Sequence, residues 1–166
     1  AITPDDFPGF VPKASVHDGD EVAVGTPLLF DKNHPDVKLV SPIAGRVKAV
    51  VRGERRKIMR VEIEASDSNV ESPELPTPTD KTSACRFLAL SGLLAMLRQR
   101  PYDIVPNPED SVRDIFVSAL DTSPLAAPAS VYSSLFGKDD YEEGVKVLKM
   151  ITTGKVYISH GADFEH

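Results

Sequence analysis

Several side chains in this sequence have types and spacings that can do chemistry. Lys32 stands in Phe30-Asp31-Lys32-Asn33-His34-Pro35, and a lysine held at an exposed hairpin tip offers a primary amine for covalent modification; its plainer reading is a solvated turn lysine. Histidine side chains exchange protons near neutral pH, which makes His17 and His34 candidates. No serine, cysteine or carboxylate stands with either of them in a recognisable nucleophile or relay motif, so no catalytic residue is assigned. Asp121-Thr122-Ser123-Pro124 directly follows an apolar run. In open α/β sheets, ligands settle at the C-terminal ends of strands, and a carboxylate with two hydroxyls there can hydrogen-bond a ribose or a ligand carbonyl. The same four residues also make an ordinary turn. Arg98, Arg100 and Tyr102 end an amphipathic stretch; they can face that loop if the helix crosses the sheet edge, or serve the helix dipole and solvent. Arg52, Arg55 and Arg56, with Lys57 and Arg60, cluster in an otherwise acidic chain. They read as a charged hairpin that blunts a sheet edge, or as a docking patch for an acidic partner or lipid headgroups. Cys85 reads as a small buried hydrophobe rather than a reactive thiol.

Composition bounds these options. With 166 residues, 41% of them hydrophobic, the chain can bury one large core or two small ones. The net charge of −6, from 25 acidic and 19 basic residues, argues against a nucleic-acid binder and against general binding to acidic surfaces. One cysteine closes no internal disulfide, and no Cys/His cluster has metal-ligand spacing, so no metal site is assigned. The longest apolar stretch, Phe87 to Leu97, is broken at Ser91-Gly92 and falls short of the roughly 20 residues of a membrane span. A reducing, cytoplasmic setting fits.

The elements that must position these residues fall into two groups. Residues 11 to 65 read as short strands with turn punctuation: Val11 to Val16, a hairpin signal at Asp18-Gly19, Val22 to Val24, Leu28 to Phe30, Leu39-Val40, a bend at Gly45, Val47 to Val51 and Arg60 to Glu64. Residues 66–80 are rich in Ser, Asp, Glu, Thr and Pro and read as an extended linker. Phe87, Leu90, Leu94 and Leu97 then form a helical stripe that Ser83 can cap and Pro101 stops. Asp114 to Leu120 predicts a strand buried on both faces. A helix capped by Asp139 or Asp140 carries Tyr141, Val145, Leu148 and Ile151 on one face, and Lys155 to Ser159 is a second strand. Strand, helix, strand at this spacing is a βαβ unit with a parallel pair. The fold class is therefore α+β: a small all-β module at 1–65, a linker at 66–80, and a Rossmann-like α/β domain at 81–166.

Two half-motifs sharpen the first module. Val16-His17-Asp18-Gly19-Asp20-Glu21-Val22 and Ser41-Pro42-Ile43-Ala44-Gly45-Arg46-Val47 resemble the halves of a biotinyl/lipoyl-type barrel-sandwich hybrid. Together with Phe30 to Pro35, Arg52-Gly53, Ser91-Gly92-Leu93, Arg100-Pro101-Tyr102, Asp121-Thr122-Ser123-Pro124-Leu125 and Gly154-Lys155-Val156-Tyr157, they resemble the A subunits of the Na+-translocating NADH:quinone oxidoreductases. The resemblance runs from about residue 11 to about residue 159. It implies an N-terminal fragment of a longer subunit, truncated in its second domain. The complex would be a membrane respiratory one that couples NADH oxidation and quinone reduction to Na+ transport. The fragment would be a peripheral scaffold on the cytoplasmic side of the bacterial inner membrane. Its partners would be the other subunits and quinone, with NADH and flavin handled by those partners and no cofactor held firmly here. Asp121, Thr122, Ser123, Arg98, Arg100 and Tyr102 become quinone-site candidates, and Arg52, Arg55 and Arg56 docking candidates. Two alternatives are a lipoyl or biotin carrier using Lys32, and a flavin-binding electron-transfer subunit of the Rnf type. For the latter, Leu90-Ser91-Gly92-Leu93 offers one glycine where a phosphate cradle wants several.

Overall fold

A computed structural model describes residues 1–66, 70–119, 123–126, 131 and 138–161. The chain divides into two compact units, residues 1–77 with 85–110, and residues 78–84 with 111–166. Each is described by itself.

The first unit is built on six strands: β1 (Pro12–Ala14), β2 (Glu21–Val22), β3 (Pro27–Asp31), β4 (Lys38–Val40), β5 (Gly45–Arg52) and β6 (Ile58–Ala65). They form two antiparallel three-stranded sheets, ordered β1-β3-β4 and β2-β5-β6. Val22, Leu28, Leu29, Leu39, Val47 and Val61 are fully or almost fully buried. In β5 buried Gly45 and Val47 alternate with exposed Arg46 and Lys48, as a strand with one face on a core requires. In β3, by contrast, the consecutive Leu28 and Leu29 are both buried beside a register shift in the pairing with β4.

The half-motifs are the places where the sheets are latched. Asp18-Gly19 is not the hairpin expected from sequence, because β1 pairs with β3 and β2 with β5. Instead His17–Asp20 forms a turn in which the Asp20 N–H donates to the His17 carbonyl and Gly19 has φ +92°, the geometry a type II turn requires of its third residue. That turn docks on β5. Gly19 N–H donates to Val47 O, Val47 N–H to Asp20 O, and Val50 N–H to Asp18 Oδ1. Arg46 Nε closes it by donating to Gly19 O at 2.8 Å. In the second half-motif, buried Ser41 donates from Oγ to the Ile43 carbonyl at 2.7 Å and holds the bend. Gly45 lies between β2 and β6, where a Cβ would collide with the Glu64 carbonyl.

Residues 85–110 complete this unit, and here the sequence expectation needs correction. The stripe Phe87, Leu90, Leu94, Leu97 does not belong to one helix. Helix α1 spans Lys81–Leu90, Gly92 follows with φ +80°, and a separate 3-10 turn covers Leu94–Met96. Glycine accepts the left-handed conformation that ends a helix, and the Ser91 and Gly92 N–H groups donate to Phe87 O and Ala89 O. The buried residues of α1 are Ala84, Leu88 and Ala89. The cap is Asp80 rather than Ser83: Asp80 Oδ1 accepts the Ser83 N–H at 2.8 Å, and Ser83 Oγ accepts the Thr79 and Asp80 N–H groups. Ser83 is thus the reciprocal partner of the cap.

In the second unit, β7 (Ile115–Ala119) and β8 (Val156–His160) pair in parallel, with α2 (Lys138–Ile151) preceding β8. This is the parallel pair expected. Tyr141, Val145 and Leu148 of α2 are half-buried and Ile151 is buried, while Asp139 and Asp140 lie within the first turn rather than before it, where they favour the dipole. β7 is not buried on both faces. Phe116 is 75% exposed and stacks on Tyr157 of β8, centroids 5.0 Å apart.

Candidate functional site

The basic cluster and the first strand meet on the first unit. β5 and β6 are joined by a tight turn in which Gly53 N–H donates to Lys57 O, and Glu54–Arg56 form one 3-10 turn. Arg55 and Arg56 have φ of +52° and +62°. Two successive non-glycine residues in the left-handed region cost about 1–2 kcal/mol each. Strain of this kind concentrates where a side chain must be presented in one direction. The turn forms one wall of a groove of about 470 Å³, and β1 with the residues around it supplies the rest. Lys13, His17, Arg52, Arg55, Arg56 and Lys57 line it together with Val11, Pro12, Ala14, Val16 and Ile58, and no carboxylate among the described residues does.

Two of these cations are already engaged. Lys57 Nζ lies 2.8 Å from Asp5 Oδ2, and Lys13 Nζ sits 5.5 Å from the centre of the Phe30 ring. His17 is exposed, with Nδ1 3.7 Å from Asp20 Oδ2. Arg60, fifth of the sequence cluster, is turned to Glu62 at 2.7 Å, and that hydrogen bond holds the Glu62 carboxyl below its ordinary range. Arg52, Arg55 and Arg56 are exposed and form no ion pair among the described residues. Their part of the site was legible in sequence. Lys13 and His17, about 40 residues away, were not grouped with it, because β1 and the β5–β6 turn belong to different sheets and only the packing of the two sheets brings them together.

The quinone-site candidates are spread over both units. Arg98, in the first, is committed to backbone oxygens: its guanidinium donates to Ala95 O at 3.0 Å and Asp6 O at 2.9 Å, and it lies 6.0 Å from the Phe7 ring centre. Arg100 pairs with Asp103 at 3.2 Å, and Tyr102 beside it is 74% exposed. Ser123, in the second unit, is exposed at the start of a turn closed by Ala126 N–H donating to its carbonyl. Asp121 and Thr122 lie outside the described residues.

Lys32 stands exposed just past β3, where its backbone N–H donates to Val11 O. Next to it Asp31 is buried and accepts three backbone N–H groups, from Val11 at 2.9 Å, Asn33 at 2.6 Å and His34 at 3.1 Å. His34 is half-buried in the same turn. Gly92 sits at the C-terminal end of α1, buried against Val40, which is the wrong end of a helix for cradling a flavin phosphate. Among the described residues no group of three His, Cys, Asp or Glu is placed to hold a metal ion, and no helix is long and apolar enough to cross a membrane.

A barrel-sandwich followed by an α/β part, with this pair of latched half-motifs, is the architecture of a known family. Residues 1–66 match the NqrA N-terminal barrel-sandwich hybrid domain and residues 79–165 the NqrA second alpha/beta domain. The chain belongs to the NqrA family. It is 34% identical over 168 residues to the A subunit of the Na(+)-translocating NADH-quinone reductase of Yersinia pestis bv. Antiqua, covering 98% of this chain and 37% of that protein. The protein of the same name from Saccharophagus degradans is 38% identical over 162 residues, 93% of this chain and 36% of the relative. That of Vibrio anguillarum is 36% identical over 165 residues, 95% of this chain and 36% of the relative. The chain thus spans a little over a third of the length of these relatives. They support the quinone-reductase reading of the sequence and not the Lys32 carrier or Rnf alternatives.

Proposed function

We propose that this chain serves in a Na+-translocating NADH:quinone reductase of the membrane respiratory type, as a scaffold portion of the A subunit with no redox centre of its own. The observation that carries the reading is the family match over both units, residues 1–66 and 79–165. In this reading the chain is inactive alone, and NADH and flavin chemistry belong to partner subunits. The chain sits at the cytoplasmic face of the bacterial inner membrane, with Arg52, Arg55 and Arg56 docking on a partner. The quinone candidates are Asp121, Thr122 and Ser123 of the second unit and, taken separately, Arg100 and Tyr102 of the first. The exposure of Ser123 and Tyr102 supports that assignment. Arg98, occupied by backbone carbonyls, positions the segment that carries Arg100 and Tyr102.

The test is photolabelling of the chain with an azidoquinone, followed by peptide mapping. Label on residues 98–102 or 121–126 is expected; label elsewhere, or none, overturns the quinone assignment. Purified protein should be colourless and of unmodified mass. Flavin absorbance, or a mass increment of biotin or lipoate, would overturn the scaffold reading.

A further inference from the structure

We propose that the groove beside the β5–β6 turn is a binding site for a phosphate-bearing anion, held by Arg52, Arg55 and Arg56. The inference rests on the docking reading above for the residues concerned and deepens it by naming the chemistry they meet. Three observations converge. The groove gathers Lys13, three arginines and Lys57 with no carboxylate of the described residues in its lining, although the chain as a whole carries a net charge of −6. Arg52, Arg55 and Arg56 have no ion-pair partner among the described residues, whereas Arg60 on the neighbouring strand does. Arg55 and Arg56 are held in left-handed backbone conformations, which sets the directions in which their adjacent Cα–Cβ bonds leave the turn.

The chemistry of the lining favours one class of anion: three arginines and two lysines converge on a groove of about 470 Å³, room enough for a compact group with several oxygens. Guanidinium forks match phosphoryl oxygens in pairs, and several forks around one concavity match a phosphate or phosphodiester better than a lone carboxylate. Buried Val16 and Ile58, and Val11 at 42% exposure, add apolar surface beside the charge. Such surface can meet the glycerol portion of a lipid headgroup or the non-phosphate part of a soluble phosphate compound.

The 166-residue chain is titrated with pyrophosphate by calorimetry and, separately, sedimented with vesicles of phosphatidylcholine with and without phosphatidylglycerol. Binding in at least one arm is expected, weakening with salt, and absent for phosphatidylcholine alone. Pyrophosphate binding without vesicle binding assigns a soluble ligand, and the reverse assigns a lipid headgroup. Arg55→Glu/Arg56→Glu should lower affinity more than about tenfold, and Arg55→Lys/Arg56→Lys by about threefold through loss of the fork at constant charge. Lys146→Glu/Lys149→Glu, an equal charge change on α2, should leave binding unaltered. No binding in either arm, or equal losses in the α2 control, overturns the proposal. Co-purification with partner subunits separates it from the docking reading. If Arg55→Glu/Arg56→Glu abolishes assembly while neither anion binds, docking stands and the phosphate site falls. If anions bind and assembly is indifferent to the arginines, the docking reading falls and the site stands.

Discussion

Asp31 and Arg55 show two ways in which one residue sets a turn. Asp31 is buried and satisfies three N–H groups at once, so its removal leaves donors without a partner in a place water cannot readily reach. Asp31→Ala is expected to lower unfolding free energy by about 2–4 kcal/mol, read from urea denaturation. An unchanged midpoint would mean the carboxylate is dispensable. Lys32 was legible in the sequence as a solvated turn lysine; the latch beneath it was not, because its Val11 donor lies 20 residues away. Arg55 and Arg56 carry strain that glycine would not. Arg55→Gly or Arg56→Gly should therefore raise stability, or leave it level, by up to about 1 kcal/mol. Each should also weaken anion binding. A loss of stability in both variants would show that these arginines serve the fold instead. Gly45 belongs to the same scale: its Cβ position falls on the Glu64 carbonyl, so Gly45→Ala is expected to cost about 1–3 kcal/mol in the same assay.

At the scale of elements, register in the β7–β8 pair depends on a side chain outside both strands. Asp114 Oδ1 accepts the Lys155 N–H at 3.0 Å, while Thr152 Oγ1 donates to Arg113 O at 2.7 Å. The Lys155 hydrogen bond is the main cause that holds the Asp114 carboxyl below its ordinary range, and Arg113 adds to it. A carboxylate with a depressed folded pKa contributes stability above its unfolded value, near 3.9, and that contribution is lost as pH falls through the lower folded value. Asp114→Asn should thus lower the thermal midpoint at pH 7, with the gap to the parent closing as pH drops below about 4. A gap of constant size down to pH 2 would contradict the assignment. Strand positions and the α2 stripe were readable because each rests on local periodicity. The α1 stripe misled, since apolar spacing continued across Gly92 while the backbone did not. The glycine itself was the available signal.

For the whole molecule, the compact units do not follow chain order. Residues 85–110 group with residues 1–77. Val105 N–H donates to Pro8 O, Arg98 to Asp6 O, and Gly92 packs on Val40. A piece ending at residue 80 is therefore expected to have an unfolding free energy lower than that of one ending at 110 by at least about 3 kcal/mol, for the buried Leu88 and Leu94 it forgoes, read as a lower urea midpoint. Equal midpoints would mean that the strands are self-sufficient. The sequence by itself determined where most strands lie along the chain, the two half-motifs and the parallel pair, since each is written in short-range spacing of apolar, glycine and turn residues, and resemblance over those motifs pointed to the family. Tertiary structure alone decided which distant residues share a surface. Net charge spoke against nucleic acid and general binding to acidic surfaces, yet the packing of the two sheets gathers Lys13 with Arg52, Arg55 and Arg56 into one groove that no carboxylate among the described residues lines. Electrostatic potential depends on where charges lie in space, and a count along the chain averages that away.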